Sequence, residues 1–283
     1  MSTRKGQRIS NNKIRAFRND VWAYYKVHGR HDLSWRKTKD AYKILVSEVM
    51  LQQTQVPRVI EKYHDFLKAF PNVQTLAQAP LSEVLKVWSG MGYNRRAKYL
   101  RETAKEIVEK HGGKIPREYA ELCALPGIGD YTAKAVRVFA YNEPDVLIET
   151  NVRAAFIHHF FQDVLNISDR ELLAHIKKAA PKGNPLSASW RSGPREWHWA
   201  LMDYGSHIKK LHKNPARRSA HYTRQSKFEG SLRQVRGAVL KALSSDESIN
   251  DIRCRYEDKF DLALAGLSKD GLVKKEKGKW RIT

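Results

Sequence analysis

The sequence predicts an all-α body followed by a small helical module that closes in a β-hairpin. Three observations carry that fold class. Apolar residues recur at helical spacing through the first ~225 positions. Strand-like alternation is nearly absent from the same stretch. Clear alternation comes at 271–282, around a Lys277-Gly278-Lys279 turn.

Taken in order, helical spacing covers 14–27, 41–70, 81–88, 97–110, 131–141, 152–165, 170–180 and 197–207. Pro and Gly punctuate between these segments: Pro71, Pro80, Gly90 and Gly92, Gly112 and Gly113, Pro116, 126–129, Pro144, and 183–194. The stretch 209–227 differs. It carries Lys209, Lys210, Lys213, Arg217, Arg218, Arg224 and Lys227 with no acid, and reads as a basic linker or loop. Beyond it, 231–243 is amphipathic, and 250–260 and 262–267 keep helical period before the hairpin. Three helices and a hairpin resemble a winged-helix module at 228–283, which binds either DNA or protein.

The charge narrows the function. Against 30 acidic residues the 283-residue chain carries 52 Lys and Arg, a net +22, which points to a polyanion, nucleic acid foremost. A merely basic surface is the alternative. With 41% hydrophobic and 10% aromatic residues, global disorder is excluded. No run approaches the ~20 apolar residues of a membrane span, and 1–12 has no apolar core of a secretory signal. Cys123 and Cys254 make neither a disulfide framework nor a four-thiolate centre, as befits a reducing cytosol.

Four segments carry chemistry. In Leu125-Pro126-Gly127-Ile128-Gly129 the glycines let backbone approach a ligand, and the helix that follows adds its N-terminal partial positive charge. Lys134 and Arg137 stand on that helix. The segment is a phosphate seat or an ordinary helix–helix turn. Glu48 lies among Val46, Val49 and Met50. Burial there would raise its pKa and suit it to proton donation, whereas a surface position would leave it inert. Gln52, Gln53 and Thr54 behind it offer neutral hydrogen-bonding groups for base edges. Glu149 stands before a helix start with Thr150 and Asn151, where backbone donors keep it ionised or where it is simply a cap. In 88–98, Gly90 and Gly92 make an exposed turn. Tyr93 is then free to wedge into a base stack while Arg95, Arg96 and Lys98 meet phosphates, unless the ring anchors the loop to the core.

These segments together, with Trp35-Arg36 after His28 to His31, resemble the helix-hairpin-helix (HhH-GPD) DNA glycosylases of base excision repair. The MutY-type adenine glycosylases are the nearest branch, and the likeness runs over roughly 22–207. It implies two helical domains, one from 1–30 and 144–208 and one from 31–143, with the active site in the cleft between them. The basic segment 209–227 and the winged-helix-like domain 228–283 follow. It also implies that a mispaired or damaged base is flipped out of duplex DNA, which is the partner. Glu48 then protonates the departing base, Glu149 stabilises an oxocarbenium-like sugar beside Asn151, and Tyr131 touches the reacting nucleotide. Gln52, Gln53, Tyr93, Arg95, Arg96, Lys134, Lys209, Lys210, Arg217 and Arg218 contact DNA. So does the hairpin of Leu125, Gly127, Ile128 and Gly129, whose carbonyls in this family can also hold a monovalent ion.

Lytic relatives place a Lys where Tyr131 stands, so the resemblance implies a glycosylase without lyase activity. The chain departs from the family in three respects. The family Asp is Glu149. Lys209 stands where the first cysteine of the iron–sulfur cluster would be, and no cofactor or metal is expected. The tail is not the β-rich domain that reads 8-oxoguanine. The expectation is therefore a monomeric, cytoplasmic, nucleoid-associated glycosylase for adenine opposite guanine or 8-oxoguanine. The alternatives are a glycosylase for oxidised or deaminated pyrimidines (hydroxyuracil, uracil, mismatched thymine) and a catalytically weak or inactive lesion-binding protein.

Overall fold

The structure, a computed structural model, describes residues 10–181, 193–245 and 247–283. Most of the polar start of the chain and of the turn-rich stretch 183–194 lie outside the described residues. The helices are α1 (Asn11–His28), α2 (Ala41–Leu51), α3 (Val56–Ala69), α4 (Val73–Gln78), α5 (Leu81–Val87), α6 (Arg95–His111) and α7 (Tyr119–Ala124). There follow α8 (Asp130–Tyr141), α9 (Thr150–Phe160), α10 (Asp169–Ala179), α11 (Pro194–Leu211), α12 (Leu232–Ser244) and α13 (Asn250–Lys269). The chain closes with antiparallel β1 (Val273–Glu276) and β2 (Lys279–Ile282), Glu276 facing Lys279 across a Lys277-Gly278 turn in which both φ are positive. Local chemistry sets the starts. Ser10, Asp40, Asn72, Ser168 and Ser231 each accept a backbone N–H at a helix N-terminus, and Ser168 forms a reciprocal capping box with Glu171.

Four features differ from the sequence reading. The run 41–70 is two helices, because Pro57 begins a new one and Gln53 turns the chain at φ 55°. The six-residue helices α4 and α7 are too short to show a period. The stretch 250–269 is kinked into two helical segments as read, but the break falls at Tyr256, at φ −127° and ψ 23°, rather than near 261. The supposed linker 209–227 begins as the last turn of α11, passes through a tight turn at Pro215–Arg218, and pairs Ser219 with Ile167.

Contacts divide the chain into two units, one of residues up to Lys37 with Lys134–Arg224 and the other of Thr38–Ala133 with Gln225–Thr283. The division falls inside α8. The tail thus belongs to the second unit rather than standing alone at 228–283. Lys98 Nζ donates to the carbonyl of Asp270 at 2.8 Å, and the Asp270 carboxylate pairs with Arg95 at 3.6 Å and with Arg236.

The first unit is built on aromatics. Phe17 of α1 meets Phe156 and Phe160 of α9 with ring centroids at 4.9 and 5.2 Å. Asp203 of α11 is buried and receives Arg30 and a bidentate Arg36, at 2.7 and 2.9 Å from the latter. Burial pushes that carboxyl upward, but hydrogen bonds and charge from Arg36 and Arg30 outweigh it and hold it below the usual range. The second unit packs Phe66 against Phe70 and Trp88, with Tyr63, Leu76 and Leu100 fully buried beside them.

Candidate functional site

In the second unit, α2 buries Tyr42 and every residue from Ile44 to Met50. Glu48 is carried on it with 8% of its surface exposed, so the surface alternative for this acid does not hold. Where α2 ends, the side-chain amide of Gln52 donates to Thr132 Oγ1 at 3.0 Å, which ties the Gln52–Gln55 loop to the first turn of α8. Gln52 is therefore partly engaged inside the protein, whereas Gln53 is exposed.

Arg96 holds this corner together. Its Nη1 donates to the carbonyls of Val49, Met50 and Gln52 at 2.8, 2.9 and 2.7 Å, which are the acceptors that the end of α2 leaves open. Its Nη2 donates to Thr54 Oγ1 and to the carbonyls of Met91 and Gly92 at 3.0, 3.2 and 3.0 Å. Burial pushes its pKa down to about 10. The structure thus corrects the phosphate-contact reading of Arg96: each hydrogen of its two terminal nitrogens is directed inward. Lys98 is likewise engaged, on Asp270. Arg95 is exposed, although it touches Tyr99 Oη at 2.9 Å and pairs with Asp270.

Tyr93 is not free. It sits at φ 48° after Gly92, with the Arg96 and Arg233 guanidiniums 5.6 and 5.2 Å from its ring centre. Arg233 and Gln225 donate to its hydroxyl at 2.5 and 2.6 Å. These partners lie 132 to 140 positions along the chain, so no local pattern announces them.

A cavity of about 530 Å³ opens here, lined by Gln52, Gln53, Tyr93 and Tyr99, by Arg95 and Arg96, by the hairpin at Pro126–Ile128, and by Arg233, Arg236 and Asp270 from the tail. The sequence reading missed Tyr99, Arg233, Arg236 and Asp270. The signal that could have found the arginines is their i, i+3 spacing on one polar edge of amphipathic 231–243.

The hairpin connects α7 to α8. Ile128 N–H closes its turn on the carbonyl of Leu125 at 3.2 Å, and Gly127, at φ 75°, rests on Tyr99 so closely that any Cβ would collide with that ring. Gly127 and Gly129 are exposed. Leu125 and Ile128 are buried and seat the hairpin, so any contact they make with a ligand is through backbone rather than side chain. Tyr131 and Lys134 follow at half-buried positions on α8.

In the first unit, Glu149 is the N-cap of α9. Its Oε1 accepts the Val152 N–H at 2.9 Å, and its Oε2 accepts from Asn151 Nδ2 at 3.1 Å. Lys209 Nζ donates to Asn151 Oδ1 at 3.2 Å. Part of the residue's surface remains open, yet the carboxyl is enclosed enough for burial to lead and to push its pKa up. Hydrogen bonds from Asn151 and Val152 and the charges of Lys209 and Arg153 oppose that rise. The backbone donors are present as the sequence suggests, but they do not win. Arg218 gives Nη1 to the carbonyl of Phe161 at 2.6 Å, closing the end of α9, so its phosphate reading is corrected to a cap. Lys210 and Arg217 are exposed.

The chain holds two cysteines, Cys123 and Cys254, two short of the four thiolates of an iron–sulfur centre. Among the described residues no group of His, Cys, Asp or Glu has the arrangement of a metal site. No helix among them is long and apolar enough to cross a membrane.

A family model described as "HhH-GPD superfamily base excision DNA repair protein" matches residues 46–182. The chain is 36% identical over 192 residues to the adenine DNA glycosylase of Buchnera aphidicola subsp. Baizongia pistaciae, covering 68% of this chain and 52% of that protein. It is 32% identical over 272 residues to the adenine DNA glycosylase of Mycolicibacterium smegmatis, covering 87% of this chain and 89% of that one. It thus spans about half the length of the first relative and most of the second. Among solved structures, a thermostable thymine-DNA glycosylase has the same fold, with a TM-score of 0.60, 24% identity, and 72% of this chain and 91% of that chain covered.

Proposed function

Since the chain belongs to the HhH-GPD superfamily of base excision DNA repair proteins, we propose that it is a monofunctional DNA glycosylase hydrolysing the N-glycosidic bond of a nucleotide flipped out of duplex DNA. Adenine opposite guanine or 8-oxoguanine is the favoured target, in line with its adenine DNA glycosylase relatives. One observation carries the reading: a buried carboxylate, Glu48, one turn before Gln52, which is bonded to Thr132 just beyond the exposed Gly127–Gly129 hairpin. An acid withheld from water, on a helix whose end is tied to the hairpin side of α8, suits a proton donor for a leaving base on a phosphate backbone.

In this reading the hairpin rim, the N-terminus of α8 and Arg95 take the phosphates. Exposed Lys210 and Arg217 add to them. Tyr93 leaves its arginine neighbours to fill the gap in the stack, and Gln53 meets base edges. Glu48 protonates the departing base, so that it leaves neutral, and then directs water to the sugar. Glu149 acts ionised beside the cationic sugar, with Asn151 orienting it. Tyr131 brings no amine for a Schiff base, so the backbone of the product stays intact. The enzyme works as a monomer on chromosomal DNA in the cytoplasm, without an iron–sulfur cluster.

The test is a panel of duplexes carrying defined lesions and mismatches, incubated and then cleaved at abasic sites with alkali. Adenine release from adenine–guanine or adenine–8-oxoguanine pairs is expected. Glu48→Gln should cut the rate by roughly 10²–10⁴-fold and leave duplex affinity intact, as loss of a general acid does. Release confined to pyrimidine lesions would replace the adenine assignment. Binding without release from any duplex would make this a lesion-binding protein.

A further inference from the structure

Helices α9 and α11 meet at a glycine. A Cβ on Gly205 would overlap the carbonyl of Asn151, so only glycine lets the first turn of α9 lie directly on α11. Lys209 is one helical turn beyond Gly205 on the same face of α11. It therefore reaches the Asn151 side chain, with Nζ 3.2 Å from Oδ1. The other end of that amide faces Glu149 Oε2 at 3.1 Å. An ammonium only donates and an ionised carboxylate only accepts, so this order fixes the amide: oxygen toward Lys209, NH₂ toward Glu149. We propose that Lys209 is a positioning residue for Glu149, acting through Asn151. It rests on the glycosylase reading above, in which Glu149 stands at the reacting sugar. It also replaces the expectation that Lys209 grips a phosphate.

The relay has a physical task. An uncapped Asn side chain rotates and flips, and a Glu has one more rotor than the Asp of the family pattern. Locking the amide holds one carboxylate oxygen, while the Val152 N–H holds the other. The groups facing the carboxyl are Lys209 from α11, and Asn151, Val152 and Arg153 from α9. Arg153 is itself paired bidentately with Asp169 at 2.8 and 2.7 Å, which leaves Lys209 as the cation committed to this group. Each of these opposes the upward push of burial.

The experiment compares the full-length wild type with Lys209→Met and Lys209→Arg, each first checked for an unchanged melting profile. Two readouts are taken. Glutamate-¹³C NMR, with Glu149→Gln for assignment, follows the titration of the carboxyl without any turnover. Single-turnover base release is followed against pH. In Lys209→Met the Glu149 titration and the acid limb of the rate profile should both move up by about one pH unit, the scale of a lost opposite charge. The neutral-pH rate should fall about tenfold, with duplex affinity and its salt slope unchanged. Lys209→Arg should recover most of both. An unmoved Glu149 titration, or weaker binding with a shallower salt slope, would overturn the proposal. If the wild type releases no base, the glycosylase reading fails, and the NMR arm still decides whether Lys209 governs Glu149.

Discussion

At the scale of single residues, the sequence locates the acids better than the bases. Glu48 is legible as a candidate because it stands amid Val46, Val49 and Met50, and the structure decides for burial over the surface alternative. The arginines are not, because a guanidinium that caps a helix and one that grips a phosphate have the same local neighbourhood. Arg96 and Arg218 both close helix ends, and both were read as DNA contacts. The distinction lies in long-range geometry: the Arg96 partners Val49 and Met50 are 47 and 46 positions away. Its role makes a definite prediction. Arg96→Met removes the donors to six buried or half-buried acceptors, and loss of such a network costs on the order of 3–5 kcal/mol. The melting temperature should drop by roughly 10 °C for a chain of this size. The salt slope of DNA binding should stay as it is. A variant that melts normally but loses a phosphate's share of the slope would reverse the assignment.

At the scale of elements, the helical character of the long amphipathic stretches is legible because each repeats its period over three turns or more, although the breaks within 41–70 and 250–269 are not. The short α4 and α7 escaped because six residues hold fewer than two turns. The break between α2 and α3 escaped because the apolar period continues through it, while the turn is made by Gln53, a residue with no turn signature. The placement of the tail was illegible for another reason. Its hairpin and helices are local, but the surface that receives it is not. Tyr93 lies at that contact, with the Arg96 and Arg233 guanidiniums near its ring and Gln225 on its hydroxyl. A double-mutant cycle of Tyr93→Ala and Arg233→Ala should therefore show a coupling of about 1 kcal/mol, since both the ring contact and the hydroxyl bond join the pair. The same variants should speed hydrogen exchange in the first turn of α12. Additive effects on stability would mean that the tail is held by its other contacts alone.

At the scale of the whole molecule, buried titratable groups set how the fold responds to acid. His198 is buried, with Nε2 3.0 Å from the Asp145 carbonyl and no partner for Nδ1 among the described residues. Burial pushes its pKa down to about 4. His159, beside Tyr204, is pushed down to about 4 first by burial and then by the charge of its neighbour His158. Unfolded histidine titrates near ~6.5. Between about 4 and ~6.5 the unfolded chain thus binds protons that the native chain refuses, so stability rises with pH across that window. It is fully present above the window and is lost as acid is added. For His198 alone the loss approaches ~3 kcal/mol. Asp203 acts later. Its lowered pKa contributes stability that is present above ~3.9 and is lost only as pH falls through its native value. Glu149 has the opposite sign, because a raised carboxyl costs stability once it ionises. The fold tolerates this cost at a position where the proposed reaction needs a negative charge. Thermal melts from pH 7 to pH 4 should therefore show a steady decline in wild type and a shallower one in His198→Gln, whose amide can still donate to Asp145. Parallel slopes in the two proteins would move the origin of the acid sensitivity away from this histidine and onto His159, since Asp203 acts only below the window.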